Sequence, residues 1–337
     1  MGRSQFLMPT PPSPPAVAAA PPEPAEREGA DGVAVTFPGQ GSQVAGFGRA
    51  WRDHPAWVAV ERAEAASGRD LSSLLLDPEA DLSRTEDAQL AVLASSLVVW
   101  EAAQPYIGTP VAFAGHSLGQ ITALVAAGAV DPADGLALAS TRAAVTQAAA
   151  DATPGGLIAL LGATPEQARD TVALVDEAWI ANDNAPGQIV IGGTATGVAA
   201  ATAAARGAGV RKIRPLAVGG AFHTPLMAPA AVAFGQAVDA VTFAPLTAPV
   251  VTNHDATAHF ARRGWAERLS THLIRPVRWR ETVDTLVELG ATRLVELGPG
   301  TTLTALAKRC RDDVEPLSAA TPDEVEALLP TLWGVGR

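Results

Sequence analysis

Short apolar runs alternate along this chain with longer segments in which small apolar residues recur at helical spacing. Residues 32–37 (GVAVTF) and 110–115 (PVAFAG) are β-branched or apolar, which predicts two buried strands. Residues 88–104 and 118–130 have the length and spacing of helices. Because strand, turn and helix recur in this order, we predict an α/β fold built on a mainly parallel sheet.

The pattern changes in the middle of the chain. Residues 150–218 read as strand, helix, strand, strand, helix, strand, the ferredoxin-like order. We therefore expect a ferredoxin-like small subdomain inserted into an α/β-hydrolase-like large subdomain of residues 32–149 and 219–320. Residues 321–337 are expected to form a C-terminal helix or tail. Residues 1–31 are rich in Pro and Ala, and because proline fixes φ and removes backbone donors, we predict a disordered tail.

Composition and charge narrow the functional classes. Of the 337 residues, 48% are hydrophobic and only 5% aromatic, so Ala, Val and Leu must fill the core. A net charge of -11 argues against nucleic-acid binding, and no uninterrupted apolar stretch predicts a membrane span. The single cysteine, Cys310, cannot form an internal disulfide, which suits a reducing cytoplasm. We expect a cytoplasmic monomer.

The segment AGHSLGQ, residues 114–120, carries the first sign of chemistry. Its GHSLG pattern falls between a predicted strand and a predicted helix, the context of a nucleophile elbow. Ser117 would expose its Oγ, and the N–H of Leu118 would point at an oxyanion. The five-residue pattern also occurs by chance, so an ordinary serine in a strand–helix turn is the alternative.

A serine nucleophile needs a base. Among the six histidines, His223 follows two glycines in a loop after the last predicted strand of the small subdomain, which suits a base that enters a cleft. His116 adjoins the serine, but neighbouring side chains diverge at a tight turn. Asp183 lies in an Asn-rich turn, so we expect a carbonyl or an amide to orient the base. The His and Cys spacing predicts no metal site.

Seven motifs together resemble the malonyl-CoA:acyl carrier protein transacylases and the related acyltransferase domains of polyketide synthases. They extend from about residue 32 to about residue 315 and read FPGQGSQ, GHSLG, STRAAVTQ, NDNAPGQIVI, GAFH, RPVRW and VELGPG. The resemblance implies ping-pong transfer of a malonyl or related dicarboxylic acyl group, in polyketide or fatty-acid biosynthesis. The group would pass from CoA through an acyl-serine to the phosphopantetheine thiol of an acyl carrier protein. The resemblance implies no cofactor, since malonyl-CoA is the donor substrate.

The resemblance also assigns roles to residues. Ser117 would be the nucleophile and His223 the general base and acid, while backbone N–H groups of Gln40 and Leu118 would form the oxyanion hole. Arg142, 25 residues after the serine, would hold the malonyl carboxylate in a bidentate fork, unless it is a solvated helix arginine. The other substrate-binding candidates are His116, Asn182, Phe222, Gln120 and Arg278.

Phe222 bears on substrate choice. In the polyketide relatives AFH accompanies malonyl and ASH accompanies methylmalonyl, because phenylalanine leaves less room for an α-methyl group. One methyl group is worth about 1–3 kcal/mol, so we expect a preference for malonyl rather than exclusion of methylmalonyl.

Two positions depart from the family's usual pattern. Gln120 stands where the family usually has Glu after GHSLG; the charge at the helix start is lost, and we expect an altered acyl pocket. Arg278 stands in RPVRW where the family's NPVQW has a Gln that often positions the histidine. Either His223 is held by a backbone carbonyl near Asn253 or Asn182, or Arg278 favours an acidic acyl or phosphate group. We infer a specialised enzyme, acting in trans on a polyketide assembly line.

Docking of an acidic carrier protein on this acidic chain requires a basic patch. Two groups are candidates for the carrier or the CoA phosphates, with solvated charges as the alternative. The first is Arg206, Arg211, Lys212 and Arg214; the second is Lys308, Arg309 and Arg311.

Other functions were weighed against transfer to a carrier. A hydrolase that edits acyl carrier proteins would use the same Ser117 and His223 but needs no carboxylate anchor such as Arg142. A transferase of a non-malonyl acyl group between carriers also stays open. A dinucleotide-binding oxidoreductase is excluded because Val44 replaces the third glycine of the fingerprint. A non-catalytic carrier-binding module would not need Ser117, His223 and Arg142 together.

Overall fold

The computed structural model describes residues 32–333, so the predicted N-terminal tail and residues 334–337 lie outside the described part. Ten strands run through this part: β1 (Val33–Phe37), β2 (Ala112–Gly115), β3 (Gly155–Leu161), β4 (Ala178–Ala185), β5 (Gln188–Thr194), β6 (Lys212–Pro215), β7 (Val250–Val251), β8 (Ala258–His259), β9 (Arg293–Leu297) and β10 (Glu315–Ala319). Twelve α-helices accompany them: α1 (Val58–Ser67), α2 (Leu71–Leu76), α3 (Thr85–Ile107), α4 (Gly119–Ala126), α5 (Pro132–Ala152), α6 (Pro165–Ala173), α7 (Ala195–Gly207), α8 (Ala228–Asp239), α9 (Trp265–Ile274), α10 (Trp279–Glu288), α11 (Thr302–Cys310) and α12 (Pro322–Trp333).

The larger sheet has the order β10-β9-β1-β2-β7-β8. Its strands pair in parallel except β8, which runs antiparallel to β7. Every residue of β1 and β2 is buried, as expected for central strands covered on both faces. This sheet confirms the predicted α/β class, and the two edge strands β8 and β10 are additions to the prediction.

The smaller sheet has the order β4-β5-β3-β6 and is antiparallel throughout. Its strands come from a continuous segment in the order strand, helix, strand, strand, helix, strand, which is the ferredoxin-like arrangement. Helices α6 and α7 pack against it over a core of small aliphatic side chains. Helix α5 continues to Ala152, so the first residues of the segment 150–218 belong to that helix. The subdomain boundaries remain a prediction.

Helix α3 is the longest helix of the described part, with 23 residues. By length and composition it could cross a membrane, a property that the sequence analysis did not assign to it. Its most apolar window is 72% buried inside the fold, and it packs against α1, α4, α5 and α12. It is therefore the central core helix of the larger part of the molecule.

The smaller sheet is joined to the segment between α9 and α10 by backbone hydrogen bonds from β4. The N–H of Val277 donates to the carbonyl of Ala181 (2.9 Å), and the N–H of Asp183 donates to the carbonyl of Val277 (2.8 Å). The Asp183 carboxylate also pairs with Arg280. Asp183 thus lies in a strand and not in the expected turn, and it contributes to this junction rather than to a histidine.

Candidate active site

Ser117 occupies a sharp turn between β2 and α4 with φ of 55°, the left-handed region that side chains rarely adopt. The flanking glycines are required by close backbone approach. A Cβ on Gly115 would lie 1.9 Å from the carbonyl oxygen of Gly119, and a Cβ on Gly119 would lie 2.2 Å from that of Phe37. This is the geometry of a nucleophile elbow, and it explains both glycines of GHSLG.

The imidazole of His223 reaches this serine from a loop that follows β6. The Nε2 of His223 lies 2.7 Å from the Oγ of Ser117, and its Nδ1 lies 2.9 Å from the carbonyl oxygen of His272. With Nδ1–H donating to this carbonyl, Nε2 is left as the acceptor for the serine proton. The expected carbonyl support is present, but it comes from the last turn of α9 and not from a segment near Asn253 or Asn182.

Pro276 explains why that carbonyl is available. In a continuing helix, the carbonyl of His272 would accept from the N–H of residue 276. Proline has no N–H, and α9 ends at Ile274. The proline of the RPVRW motif therefore leaves the oxygen of His272 free for His223.

Arg142 lies on α5 with only 6% of its surface exposed. Its Nη2 donates to the Oγ of Ser117 (3.0 Å) and its Nη1 donates to the Oε1 of Gln89 (2.9 Å). Burial lowers its pKa from the ordinary value of arginine to about 10, so the guanidinium remains charged at neutral pH. Arg142 is a buried cation beside the serine and not a solvated helix arginine.

The electrostatics of the site favour neutral histidines. Burial, and next the charge of Arg142, lower the pKa of His223 from 6.5 to about 3, although the hydrogen bond to His272 acts in the opposite direction. Burial also lowers the pKa of His116, and it lowers that of His272 well below 6.5. His223 is therefore unprotonated at neutral pH and able to accept a proton.

A cleft of about 410 Å³ opens over these groups between the two sheets. Its floor carries Ser117, His223 and Arg142. Two amide side chains of β4, Asn182 and Asn184, lie on its walls. The walls also include several apolar side chains: Leu157, Val190, Leu216, Phe222, Leu303 and Leu306. A larger groove of about 620 Å³ between α8 and α9 contains none of the three floor residues. The cleft, not the groove, has the chemistry of an acyl-transfer site.

His116 and Asn182 lie on the cleft wall. The Nε2 of His116 is 2.9 Å from the Oδ1 of Asn184, and its ring packs against Trp279. As predicted from the tight turn, this imidazole diverges from the hydroxyl of Ser117. Asn182 is 6% exposed, and its side chain faces the same cleft.

The loop that contains Gln40 lies against the elbow. A Cβ on Gly39 would lie 2.4 Å from the carbonyl oxygen of His116, so the loop and the elbow touch through their main chains. Neither the backbone N–H of Gln40 nor that of Leu118 donates to an acceptor within residues 32–333. Two free N–H groups beside Ser117 have the form of an oxyanion hole.

Known proteins were compared with this chain and this site. The sequence profile described as "Acyl transferase domain" matches residues 35–332.

The chain belongs to this acyl transferase family.

Similar proteins in this family carry more specific names. The malonyl CoA-acyl carrier protein transacylase of Bacillus subtilis (strain 168) is 35% identical over 307 residues, 89% of this chain and 97% of that protein. The crystal structure of an acyl carrier protein S-malonyltransferase from Vibrio cholerae matches with a TM-score of 0.84 and 32% identity, over 88% of this chain and 99% of that one. A malonyl-transacylase in complex with its type II PKS acyl carrier protein matches with a TM-score of 0.84 and 32% identity, over 89% and 99%.

In this acyltransferase, the two departures from the family pattern lie outside the cleft. Gln120 is completely buried on α4, and its Oε1 accepts from the N–H of Asn253 (3.0 Å). Arg278 forms an ion pair with Glu281 and donates to the carbonyl of Asp255. The expectations that Gln120 alters the acyl pocket and that Arg278 favours an acidic group there are corrected, because neither residue lines the cleft: Gln120 is turned toward Asn253 and Arg278 is paired with Glu281.

The basic residues of the acyltransferase differ in how they are held. Arg309 donates to the side chain of Gln188 and to the carbonyl of Pro186, and Arg311 pairs with Asp284 and Asp313. The remaining candidates are exposed and form no ion pair with another described residue: Arg206, Arg211, Lys212, Arg214 and Lys308. The group around β6 is thus the larger set of unpaired cations.

The sequence analysis did not predict the contacts by which four polar residues support the site. Gln89 supports Arg142, Asn184 holds His116, His272 holds His223, and Asn253 holds the elbow. Gln89 had a readable signal, since it is an amide within the apolar run of α3. The other three become recognisable only when distant segments meet.

Proposed function

We propose that this acyltransferase moves a malonyl group from CoA to the phosphopantetheine thiol of an acyl carrier protein through an acyl-Ser117 intermediate. The observation that carries the proposal is the buried guanidinium of Arg142 at the nucleophile, 3.0 Å from its hydroxyl. A buried cation favours an acyl group that brings its own carboxylate. The names of the similar transacylases support the same substrate and acceptor.

In the loading step, the malonyl carboxylate binds to the guanidinium of Arg142. His223 takes the proton of Ser117 at Nε2 as the Oγ attacks the thioester carbonyl. The N–H groups of Gln40 and Leu118 stabilise the oxyanion. The C–S bond then breaks, and His223 returns the proton to the CoA sulfur.

In the transfer step, the same residues act on the second thiol. His223 takes the proton of the phosphopantetheine thiol, and the sulfur attacks the acyl-serine carbonyl. The ester bond breaks, and Ser117 recovers its proton from His223. One cleft serves both steps because CoA and the carrier present the same pantetheine arm.

Substrate binding changes the base. The charge of Arg142 is one cause of the low pKa of His223. A bound carboxylate neutralises that charge, so the pKa of His223 rises when malonyl-CoA fills the cleft. The histidine becomes a better base at the moment when a thioester is present.

The alternatives fit the cleft less well. A hydrolase needs no anchor for a carboxylate, and an acyl chain without a carboxylate would cover the charge of Arg142 without neutralising it.

The carrier would dock near the unpaired cations around β6, namely Arg206, Arg211, Lys212 and Arg214. We further propose that the enzyme acts in the cytoplasm as a monomer without a cofactor, and in trans on a polyketide assembly line.

The test is the intact mass after incubation with malonyl-, methylmalonyl- or acetyl-CoA, without carrier. We expect a malonyl adduct on the wild type, none on Ser117→Ala and little on Arg142→Ala, while the exposed-arginine control Arg169→Ala behaves as wild type. Rapid release of free malonate in place of an adduct would favour the hydrolase, and preferential loading of acetyl would contradict malonyl selection.

A further inference from the structure

The side-chain amide of Asn253 forms hydrogen bonds with the main chain of the nucleophile elbow from outside the cleft. Asn253 follows β7 and is completely buried. Its Oδ1 accepts from the N–H of Ser117 (2.8 Å), and its Nδ2 donates to the carbonyl of Gly115 (2.9 Å). One planar group therefore holds both the end of β2 and the residue in the left-handed conformation.

The main chain of Asn253 is held just as closely. Its N–H donates to the Oε1 of Gln120 (3.0 Å), and its carbonyl accepts from the N–H of Arg278 (2.8 Å). Every polar group of this residue thus has a partner, apart from the second hydrogen of the amide. A buried, fully connected polar residue is rigid, so it can fix the peptide to which it is bonded.

The fixed peptide sets the geometry of the reaction. The conformation of Ser117 directs its Oγ toward His223, and the next N–H, that of Leu118, is the proposed oxyanion donor. A shift of this peptide would move the nucleophile and one oxyanion donor together. Such misplacement by about 1 Å is enough to lower a rate by roughly 10²-fold.

Gln120 belongs to the same support. Its Oε1 is used by Asn253, whereas its Nε2 is buried without a hydrogen-bond partner in residues 32–333. A glutamate, the usual family residue at this position, offers the same acceptor oxygen. The acceptor is therefore the function of the side chain at 120, and the amide nitrogen is not.

We propose that Asn253 is a positioning residue that holds the Ser117 peptide in its reactive conformation, and that Gln120 acts through Asn253. The inference rests on the proposed role of Ser117 as the nucleophile. Neither side chain lines the cleft, so their removal lowers the rate of serine acylation without weakening the binding of malonyl-CoA.

The test compares Asn253→Ala, Gln120→Leu and Gln120→Glu with wild type. A serine-directed phosphonofluoridate reports the reactivity of Ser117 independently of any acyl substrate, and malonyl loading gives kcat and KM. Thr122→Val is the matched control, because this buried α4 hydroxyl has no partner among the described residues. Thermal melts show which variants are folded.

We expect labelling and kcat to fall roughly 10²-fold in Asn253→Ala and roughly 10-fold in Gln120→Leu, with KM for malonyl-CoA within about threefold of wild type. Gln120→Glu and Thr122→Val should both label and turn over as wild type. Equal labelling of wild type and Asn253→Ala, a loss confined to KM, or no rescue by Gln120→Glu would overturn the inference. A wild type that is labelled but never malonylated would instead contradict the proposed function.

Discussion

The guanidinium of Arg142 donates to the hydroxyl of Ser117 across 3.0 Å, so the cation proposed to bind the carboxylate and the proposed nucleophile are in direct contact. An acyl group that bridges them must be short. In malonyl, one methylene separates the carboxylate from the thioester carbonyl. The contact therefore matches a short dicarboxylic acyl group.

Removing the anchor should change substrate preference. In Arg142→Ala we expect kcat/KM for malonyl-CoA to fall by about 10²–10³-fold, because one partner of a buried charged pair is lost. The value for acetyl-CoA should change by less than about tenfold. Arg142→Lys keeps the charge without the bidentate fork, so its kcat/KM for malonyl-CoA should lie between the values for Arg142→Ala and the wild type. Loading rates measured with both thioesters check this, and a parallel loss for both would contradict a role in carboxylate selection.

The same substitution should move the pH dependence of the free enzyme. Burial is the largest cause of the low pKa of His223 and the charge of Arg142 is the next, so Arg142→Gln raises that pKa from about 3 part of the way toward its ordinary value. Reactivity requires neutral His223, so the acid limb of phosphonofluoridate labelling should shift to higher pH in Arg142→Gln. Labelling rates between pH 5 and pH 8, at each pH where thermal melts show both proteins folded, measure the shift. An acid limb at the same pH in both proteins would show that the charge does not reach the histidine.

Stability should fall as the pH drops below neutral. His116, His223 and His272 have lowered pKa values in the folded state, chiefly because they are buried. Below about pH 6.5 the unfolded chain takes up protons that the folded chain does not, whereas above that pH these groups add no slope. Each of them contributes up to about 1.4 kcal/mol per pH unit.

Urea unfolding at pH 7.5, 6.0 and 5.0 measures this loss. We expect the free energy of unfolding to begin to decrease near pH 6.5 and to fall more steeply toward pH 5. His116→Gln, which removes one of the three groups, should show a shallower decrease. Equal stabilities at pH 7.5 and pH 5.0 would mean that the histidines become protonated in the folded state.

Phe222 should control acceptance of an α-methyl group. Its ring lines the cleft and packs against an apolar cluster on the smaller sheet that consists of Leu157, Ala159, Ala181 and Val190. Phe222→Ser should raise kcat/KM for methylmalonyl-CoA relative to malonyl-CoA by about 10-fold, within the range that one methyl group allows. Competition between the two thioesters, read as the ratio of adduct masses, gives the value directly. An unchanged ratio would place the α-carbon away from this ring.

Charge reversal near β6 should affect the carrier alone. Arg211 and Lys212 are exposed and unpaired among the described residues. In the double variant Arg211→Glu/Lys212→Glu we expect KM for holo acyl carrier protein to rise about 10-fold, with KM for malonyl-CoA unchanged. The double variant Arg262→Glu/Arg263→Glu, at two adjacent exposed arginines with no ion pair among the described residues, is the matched control for loss of surface charge. Transfer assays at two salt concentrations test the electrostatic origin, since salt screens exposed charges.

The central strands and the elbow could be read from local sequence, because their apolar runs and glycines act over a few residues. Strand β10 (EPLSA) could not, since it has a proline and little apolar pattern and forms only by pairing with β9. The support of His223 depends on Pro276, whose effect appears only when α9 meets the histidine loop. Gln120 and Arg278 were misplaced for a similar reason: family position says that a residue is near the site but not which way its side chain faces.

The junction between β4 and Val277 has a further consequence for how this enzyme could diversify. The smaller sheet, which forms one side of the cleft, is joined there to the segment before α10 by main-chain hydrogen bonds, which do not depend on the identity of the side chains. The apolar wall of the cleft is made of side chains alone. Substitutions in that wall can therefore accumulate and alter which acyl group fits, while the main-chain bonds that hold β4 beside the segment before α10 are kept.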